Sequence, residues 1–126
     1  MSVLVDSSIW IDYFQNTGQA DILEMLIEEN LVVTNELILA ELIPALHMRK
    51  EKELIALLRE IKRQPMTVDW DDIIGMQTSC LSNGINGVGI PDLIIAQNAA
   101  QGGLRLLSND KHFSLMSKHM FLDIYP

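Results

Sequence analysis

Four acidic residues of this sequence stand where an α/β fold would gather side chains into one crevice. They are Asp6, Glu41, Asp92 and Asp110. Asp6 and Asp110 follow short apolar runs that indicate strands, and Asp92 comes at the head of an apolar helical segment. Ligands of open α/β sheets bind outside the carboxyl ends of the strands, where helix N-termini also point. We therefore expect these carboxylates to converge on a single site.

Carboxylates that converge repel one another and raise one another's pKa values unless cations lie among them. Glu41 lies within the apolar segment 37–43, so we expect it to be partly buried, where a charge needs a partner. Mg²⁺ and Mn²⁺ prefer oxygen ligands and keep water molecules for chemistry, and such a site suits hydrolysis of a phosphodiester bond. Each acid taken singly would also fit a turn, cap or helix-flank role. Only their joint placement favours a metal site.

The elements that would carry these acids alternate between strands and helices. Strands are predicted at residues 3–5, 31–33, 66–68, 104–107 and 120–123. Helices are predicted at residues 9–14, 22–27, 36–47, 49–63, 69–80 and 93–101. Continuous apolar strands are typical of a parallel sheet covered on both faces. We therefore predict a three-layer α/β fold, with a central, mostly parallel sheet of four or five strands, in a single domain over residues 1–126.

Local signals suggest where two of these helices begin. Ser7 or Ser8 is the candidate N-cap of the first helix, and Thr34 or Asn35 that of the third. Pro44 should kink the third helix, because its ring removes a backbone hydrogen bond.

The charged residues are unevenly distributed. The formal net charge of −8, from 9 basic and 17 acidic residues, argues against broad binding to nucleic acid or anionic membrane. However, six of the basic residues lie in one segment: Arg49, Lys50, Lys52, Arg59, Lys62 and Arg63. This segment is interpreted either as a cationic strip for phosphate groups or as a solvated helix face.

Cysteine content and hydropathy bear on the cellular location. The single cysteine, Cys80, excludes an internal disulfide. The sequence begins without a signal-peptide pattern, and its longest uncharged stretch is too polar to span a bilayer. We therefore expect a soluble, cytoplasmic protein.

Four segments resemble, in order and spacing, the motifs of PIN-domain ribonucleases. They are VLVDSSIWIDYF at 3–14, ELILAEL at 36–42, GIPDLIIA at 89–96 and LLSNDKHF at 106–113. The sequence is most similar to the VapC-type toxins of bacterial and archaeal toxin–antitoxin pairs. The resemblance covers nearly the whole chain.

This resemblance implies a PIN-like sandwich, dependence on Mg²⁺ or Mn²⁺, and endonucleolytic cleavage of RNA. It assigns the catalytic and metal-binding carboxylates to Asp6, Glu41, Asp92 and Asp110, and a supporting hydroxyl to Ser108. Asp6 and Asp92 would be shared metal ligands, while Glu41 and Asp110 would complete the cage and orient the attacking water. A cognate antitoxin protein is the implied partner.

One departure from the family pattern concerns His112. Many relatives have a further acid at this position, and histidine binds Mg²⁺ poorly and Mn²⁺ better. This departure is the only sequence support for an alternative function, a non-catalytic PIN-like binding module. A second alternative is a phosphatase-like α/β domain, which would want a second acid where this chain has Ser8.

We expect two protein partners. The apolar residues of the first two helices, Trp10, Phe14, Leu23 and Ile27, are predicted to include a homodimer surface. The acidic crevice is predicted to accept an Arg or Lys side chain of the antitoxin, because a basic group can occupy the site that metal and phosphate would share.

Overall fold

The computed structural model, which describes residues 1–18 and 20–126, has five parallel strands at its centre. The strands are β1 (Val3–Val5), β2 (Val32–Thr34), β3 (Lys62–Arg63), β4 (Arg105–Leu107) and β5 (Asp123–Ile124). Their order across the sheet is β3-β2-β1-β4-β5, and every neighbouring pair is parallel.

Seven helices connect the strands within the described residues. They are α1 (Ser7–Gln15), α2 (Ala20–Glu28), α3 (Glu36–Met48), α4 (Lys52–Glu60), α5 (Trp70–Ser82), α6 (Ile90–Gln101) and α7 (Lys111–Met116). The chain crosses the sheet in one direction from β1 to β3 and returns in the other from β3 to β5. Since such crossovers are right-handed, helices cover both faces of the sheet. The three-layer α/β fold predicted from the sequence is confirmed.

The central strand β1 shows why the sheet lies at the core. Val3, Leu4 and Val5 are each at most 1% exposed. A strand covered on both faces has no solvent side, so its sequence is apolar throughout. Its two neighbours are β2 and β4, and Val5 is in register with Leu107. The residues that follow β1 and β4 therefore leave the sheet side by side.

Buried amide groups fix the helix that carries Glu41 relative to the helix that carries Asp92. Asn35 is the N-cap of α3, and its Oδ1 accepts from the Ile38 amide at 2.8 Å, which confirms one of the two predicted caps. Its Nδ2 donates to Asn98 Oδ1 of α6 at 3.0 Å. Both amides are buried, and a buried amide is expensive to leave unpaired. The hydrogen bond therefore holds α3 and α6 at a fixed spacing.

The third strand and the cationic helix were predicted in the wrong place. The helix expected over 49–63 begins at Lys52 and ends at Glu60. The strand expected at 66–68 is instead Lys62–Arg63, where Arg63 is in register with Thr34 of β2. Charged residues protect an exposed sheet edge from pairing with other chains. An edge strand of two basic residues therefore has no apolar pattern by which to find it.

One smaller difference concerns the start of α1. Its N-cap is Asp6, not Ser7 or Ser8, because the helix begins at Ser7. The helix α3 includes Pro44 and ends at Met48, and the kink expected at Pro44 stays a prediction. Among the described residues, no helix has the length and apolar character needed to cross a membrane.

Candidate active site

Asp6 is a buried carboxylate held by two hydroxyl groups. It follows β1 directly, is 6% exposed and, although it is the N-cap of α1, its side chain makes no capping hydrogen bond. Its Oδ2 instead accepts from Ser8 Oγ at 2.9 Å and from Ser108 Oγ at 2.8 Å. Hydrogen bonds to an ionised carboxylate are among the stronger ones in proteins. These contacts fix the orientation of Asp6 at the end of the central strand.

The end of β4 brings Asp110 beside Asp6. The Asp6 amide donates to the Leu107 carbonyl at 2.9 Å, which continues the pairing of β1 with β4. Ser108 follows Leu107, and its Oγ accepts from the Asp110 amide at 3.0 Å while it donates to Asp6. One hydroxyl therefore links the carboxylate of Asp6 to the backbone of Asp110.

Glu41 lies in the second turn of α3, where much of the residue is open to solvent while its carboxylate is partly shielded by neighbouring atoms, as expected. Its pKa is nevertheless raised, first because neighbouring atoms remove part of its hydration, then through repulsion by Asp6 and by Asp92. A hydrogen bond from Ser7 acts in the opposite direction. Glu41 thus lies at the open mouth of the crevice, close enough to the other acids for their negative charges to raise its pKa.

Asp92 lies in the first turn of α6 and is half-buried. Burial raises its pKa most, followed by repulsion from Asp110 and then from Asp6. A backbone hydrogen bond at Gly89 and the nearby His112 lower it. The repulsions that act on Glu41 and on Asp92 involve all four predicted acids. The structure therefore brings together the carboxylates that the sequence singled out.

Asp110 and His112 face each other at the start of α7. Asp110 is the N-cap of this helix, and its Oδ1 accepts from the His112 amide at 2.9 Å. The His112 ring nitrogen Nδ1 lies 3.1 Å from the same oxygen. One ligand atom from each of Asp92, Asp110 and His112 lies within 4.8 Å of the others.

The chemistry of these side chains fits a divalent cation. The carboxylates supply hard oxygen donors, and their mutual repulsion would be relieved by a positive ion among them. Sequence reasoning missed Ser8, which it treated only as a candidate helix cap. The spacing could have indicated this role, because a serine two positions after an acid can donate a hydrogen bond back to that acid's side chain.

The predicted cationic strip is divided among several elements. Arg49 is the C-cap of α3 and Lys50 follows it, Lys52 and Arg59 lie on α4, and Lys62 and Arg63 form β3. Arg49 lines a cleft of about 130 Å³ whose wall also includes Glu41, so this residue of the predicted strip lies on the same cleft as one of the acids.

The two basic residues of β3 differ in their surroundings. Arg63 Nη1 lies 2.8 Å from Glu36 Oε1, which pairs its charge. Lys62 lines a cleft with Asn30 and Val32, at the end of the sheet where β2 begins. Consecutive strand residues point to opposite faces of a sheet. The side chains of Lys62 and Arg63 therefore point to different sides of the sheet edge.

The homodimer surface predicted on the first two helices is wrong in part. Trp10 and Leu23 are fully buried in the core, because the apolar faces of α1 and α2 pack inward. Phe14 and Ile27 are partly buried against the same core. Exposed apolar residues lie on several elements, including Ile11 of α1 and Met25 of α2, and four of them cluster on α5 and at the start of α6: Trp70, Ile74, Leu81 and Ile90. These four residues, called here the α5 patch, line a cleft of about 310 Å³.

Comparison with known families and structures gives a consistent result. A family model described as the PIN domain matches residues 3–118. No curated protein gives a significant match.

The fold is similar to several solved structures of toxin–antitoxin proteins. One is VapBC2 from Rickettsia felis bound to a DNA fragment from their promoter, with a TM-score of 0.76, 17% identity, and coverage of 99% of this chain and 98% of that chain. Another is VapBC-1 from nontypeable Haemophilus influenzae, with a TM-score of 0.74, 21% identity, and coverage of 99% and 97% respectively. A third is DNA-bound VapBC from Salmonella typhimurium, with a TM-score of 0.71, 17% identity, and coverage of 99% and 97%. At these identities the similarity establishes a shared fold.

The raised pKa of Asp92 leads to a prediction about stability. Between the ordinary pKa of Asp, about 3.9, and the raised pKa in the folded protein, the folded state binds more protons than the unfolded state. The free energy of unfolding therefore falls as pH rises through this window, and the penalty persists at higher pH. Asp92→Asn should remove this penalty, so its metal-free melting temperature at pH 8 should equal or exceed that of the wild type. The difference should shrink as the pH falls.

Thermal unfolding in a chelator from pH 5 to pH 8 measures this difference. Asp21→Asn is the matched control, because Asp21 is exposed in the first turn of α2, where a negative charge is favourable. The control should gain no stability at pH 8. A melting temperature of Asp92→Asn clearly below that of the wild type at pH 8 would contradict the electrostatic account.

Proposed function

This chain belongs to the PIN domain family, and on that basis we propose that it is a metal-dependent endoribonuclease, the toxin of a toxin–antitoxin pair, acting as a single domain. The observation that carries the proposal is the convergence of Asp6, Glu41, Asp92 and Asp110 at the carboxyl end of a parallel sheet. Similar folds occur in the VapBC complexes of several bacteria, which favours an antitoxin as the partner here.

Asp6 and Asp92 are proposed as shared ligands of Mg²⁺ or Mn²⁺, with Glu41 and Asp110 completing the site. When bound, such an ion supplies positive charge that helps to activate a water molecule and to stabilise the leaving oxygen. Ser108 supports the site by holding Asp6 in one orientation through its 2.8 Å hydrogen bond. Loss of that orientation would misplace a ligand, and site geometry must hold to a fraction of an ångström.

Glu41 is the carboxylate best placed to accept a proton. Hydrolysis forms a bond from the water oxygen to phosphorus, breaks one ester P–O bond, and requires a base for the proton of the water. The raised pKa of Glu41 brings the group closer to the pH at which a base works well. Because Glu41 is exposed at the mouth of the crevice, it can pass this proton on to solvent. A solvent water molecule in turn supplies the proton for the leaving oxygen.

The two alternatives differ in their support. A phospho-acceptor role for Asp6 is disfavoured, because this carboxylate is buried and one of its oxygens already accepts two hydrogen bonds. A non-catalytic binding module keeps only its sequence argument, the histidine at position 112 in place of a further acid, because the position of His112 beside Asp92 and Asp110 fits either function. The two remaining functions, nuclease and binding module, differ in whether RNA is cut.

RNA is proposed to enter beside Arg49. This residue shares a cleft with Glu41, whereas Lys62 lines a cleft at the other end of the sheet and Arg63 is paired with Glu36. An acidic protein of net charge −8 needs at least one basic contact close to its site if it is to hold a polyanion. We propose Arg49 for that contact.

The antitoxin is proposed to occupy the cleft between α1 and α3. Its wall is apolar at Ile11, Phe14 and Leu42, and Glu41 lies along it. Such a cleft suits a segment that carries apolar side chains and one basic side chain, which would reach the acidic crevice. Co-purification of a basic small protein would support this proposal, and failure of any such protein to bind would remove it.

A homodimer is proposed to form through the α5 patch. The segment 73–91, which includes Ile74, Leu81 and Ile90, contains no charged residue. Two copies of a strongly acidic protein repel each other least through uncharged surfaces. Burial of an apolar face between them also contributes favourable free energy to association.

Asp6→Asn and Asp92→Asn should each lower metal-dependent cleavage of a labelled RNA by at least about 100-fold, because ligand loss removes several kcal/mol of transition-state stabilisation. Gel analysis of the products with Mg²⁺ and with Mn²⁺ measures the effect, and Asp21→Asn should cut like the wild type. Full activity of either site variant would refute the assignment. Binding of RNA by the wild type without cleavage in either metal would favour the binding module.

Arg49→Gln should weaken RNA binding at low salt when introduced into the inactive Asp6→Asn background. Loss of one phosphate contact should also reduce the salt slope by about 0.7 for single-stranded RNA. Lys62→Gln in the same background is the matched control and should leave both quantities unchanged. RNA affinity is measured by fluorescence anisotropy over a range of salt concentrations. Equal salt slopes for the Asp6→Asn protein with and without Arg49→Gln would place the RNA elsewhere.

Ile74→Glu should convert a dimer into a monomer, because it places a charge in the centre of the α5 patch. Met48→Glu is the control, since Met48 is an exposed apolar residue on α3, outside the α5 patch. Light scattering at micromolar concentration reports the mass of each protein. A wild-type monomer, or dimers of both variants, would rule out this interface.

A further inference from the structure

His112 is the one candidate ligand of the crevice that offers nitrogen instead of oxygen, among the residues the structure describes. It lies in the first turn of α7, two residues after Asp110, and its side chain is 26% exposed. Its Nδ1 is 3.1 Å from Asp110 Oδ1, and the cluster of Asp92, Asp110 and His112 has ligand atoms within 4.8 Å of one another. The position of this ring relative to the acids is what a metal ligand requires.

The spacing of Nδ1 and Oδ1 is compatible with coordination of one ion. Neighbouring ligands of an octahedral ion with bonds of about 2.1 Å lie about 3.0 Å apart. The Asp110 Oδ1 atom that lies 3.1 Å from Nδ1 also accepts a hydrogen bond from the His112 backbone amide. Binding of an ion through Nδ1 requires the neutral ring to carry its proton on Nε2.

The opposite edge of the ring faces the loop before α6. Gly87 has φ +81°, and a methyl group built on it would lie 3.8 Å from both Cε1 and Nε2 of His112. The loop therefore leaves space for about one methyl group beside the Nε2 edge. With Nε2 towards this loop and Nδ1 3.1 Å from Asp110 Oδ1, the ring presents Nδ1 to the carboxylates.

We propose that His112 is a metal ligand together with Asp92 and Asp110, and that its nitrogen makes this part of the crevice select divalent transition ions over Mg²⁺. Mg²⁺ binds carboxylate, carbonyl and water oxygens, whereas imidazole suits transition metals. A site with two carboxylates and one imidazole should therefore bind Mn²⁺ or Zn²⁺ more tightly than Mg²⁺. The inference rests on the proposed function only in taking this crevice as the metal site.

Isothermal titration of the full-length protein with Mn²⁺ and with Mg²⁺, each alone, tests the selectivity without any RNA. The wild type should bind Mn²⁺ at least about tenfold more tightly than Mg²⁺. His112→Ala should weaken Mn²⁺ binding by at least about tenfold, since even groups that only orient a ligand cost about 10- to 100-fold when removed. His112→Asp should recover Mg²⁺ binding and reduce the preference for Mn²⁺. His119→Ala, at an exposed histidine outside the crevice, should behave as the wild type.

A second measurement on the wild type does not depend on the folding of any variant. Titration of ¹⁵N-histidine-labelled protein with Zn²⁺ should shift the Nδ1 signal of His112 and fix the ring proton on Nε2, while the signals of His47 and His119 stay in place. An unmoved His112 signal at saturating Zn²⁺, or unchanged Mn²⁺ affinity in folded His112→Ala, would overturn the proposal.

These outcomes are separable from failure of the nuclease proposal. If His112 binds the ion but no RNA is cut, the metal assignment stands and the nuclease proposal fails. If the wild type cuts RNA equally well with Mg²⁺ and Mn²⁺, and His112→Ala keeps its metal affinities, the nuclease proposal stands and the role given to His112 is wrong.

Discussion

Repulsion among four carboxylates at one end of the sheet is the constraint on which the local structure depends. Each acid is tolerated in a different way. Asp6 is buried but accepts two hydroxyl hydrogen bonds, Glu41 remains open to solvent, and Asp92 occupies the first turn of a helix, where negative charge is favourable. Asp110 caps a helix. Burial first, and then the residual repulsion, raises the pKa values of Glu41 and Asp92.

The fold creates this constraint through parallel register. Because β1 and β4 are adjacent and run in the same direction, the residues that follow them emerge at the same edge. The helices α3 and α6 then supply Glu41 and Asp92, and the buried Asn35–Asn98 hydrogen bond keeps these two helices together. A favourable buried contact thus holds close together groups that would otherwise move apart.

The sequence was informative where burial dictates residue type. Val3–Val5 and the strand before Ser108 are apolar because both faces of the sheet are covered, and an acid after such a strand can lie only at the crevice. The edge strand Lys62–Arg63 could not be predicted, since it exists only through pairing with β2 and has no apolar pattern of its own. The six-residue helix α7 is too short to show a period. The Nε2 edge of His112 faces the loop of Gly87, which lies 25 residues earlier in the chain, so no local pattern predicts this neighbour.

The electrostatic strain at the crevice also bears on how such a gene would decay. Substitutions that neutralise Asp92 or Glu41 would relieve repulsion rather than break the core, since neither side chain is buried among apolar residues. Selection against a harmful activity would therefore find its easiest escape in variants that still fold. The cleft beside Glu41 and the surface of α5 would survive such changes. Inactive descendants would persist as stable proteins that retain this cleft and this surface, and with them the contacts proposed for a partner.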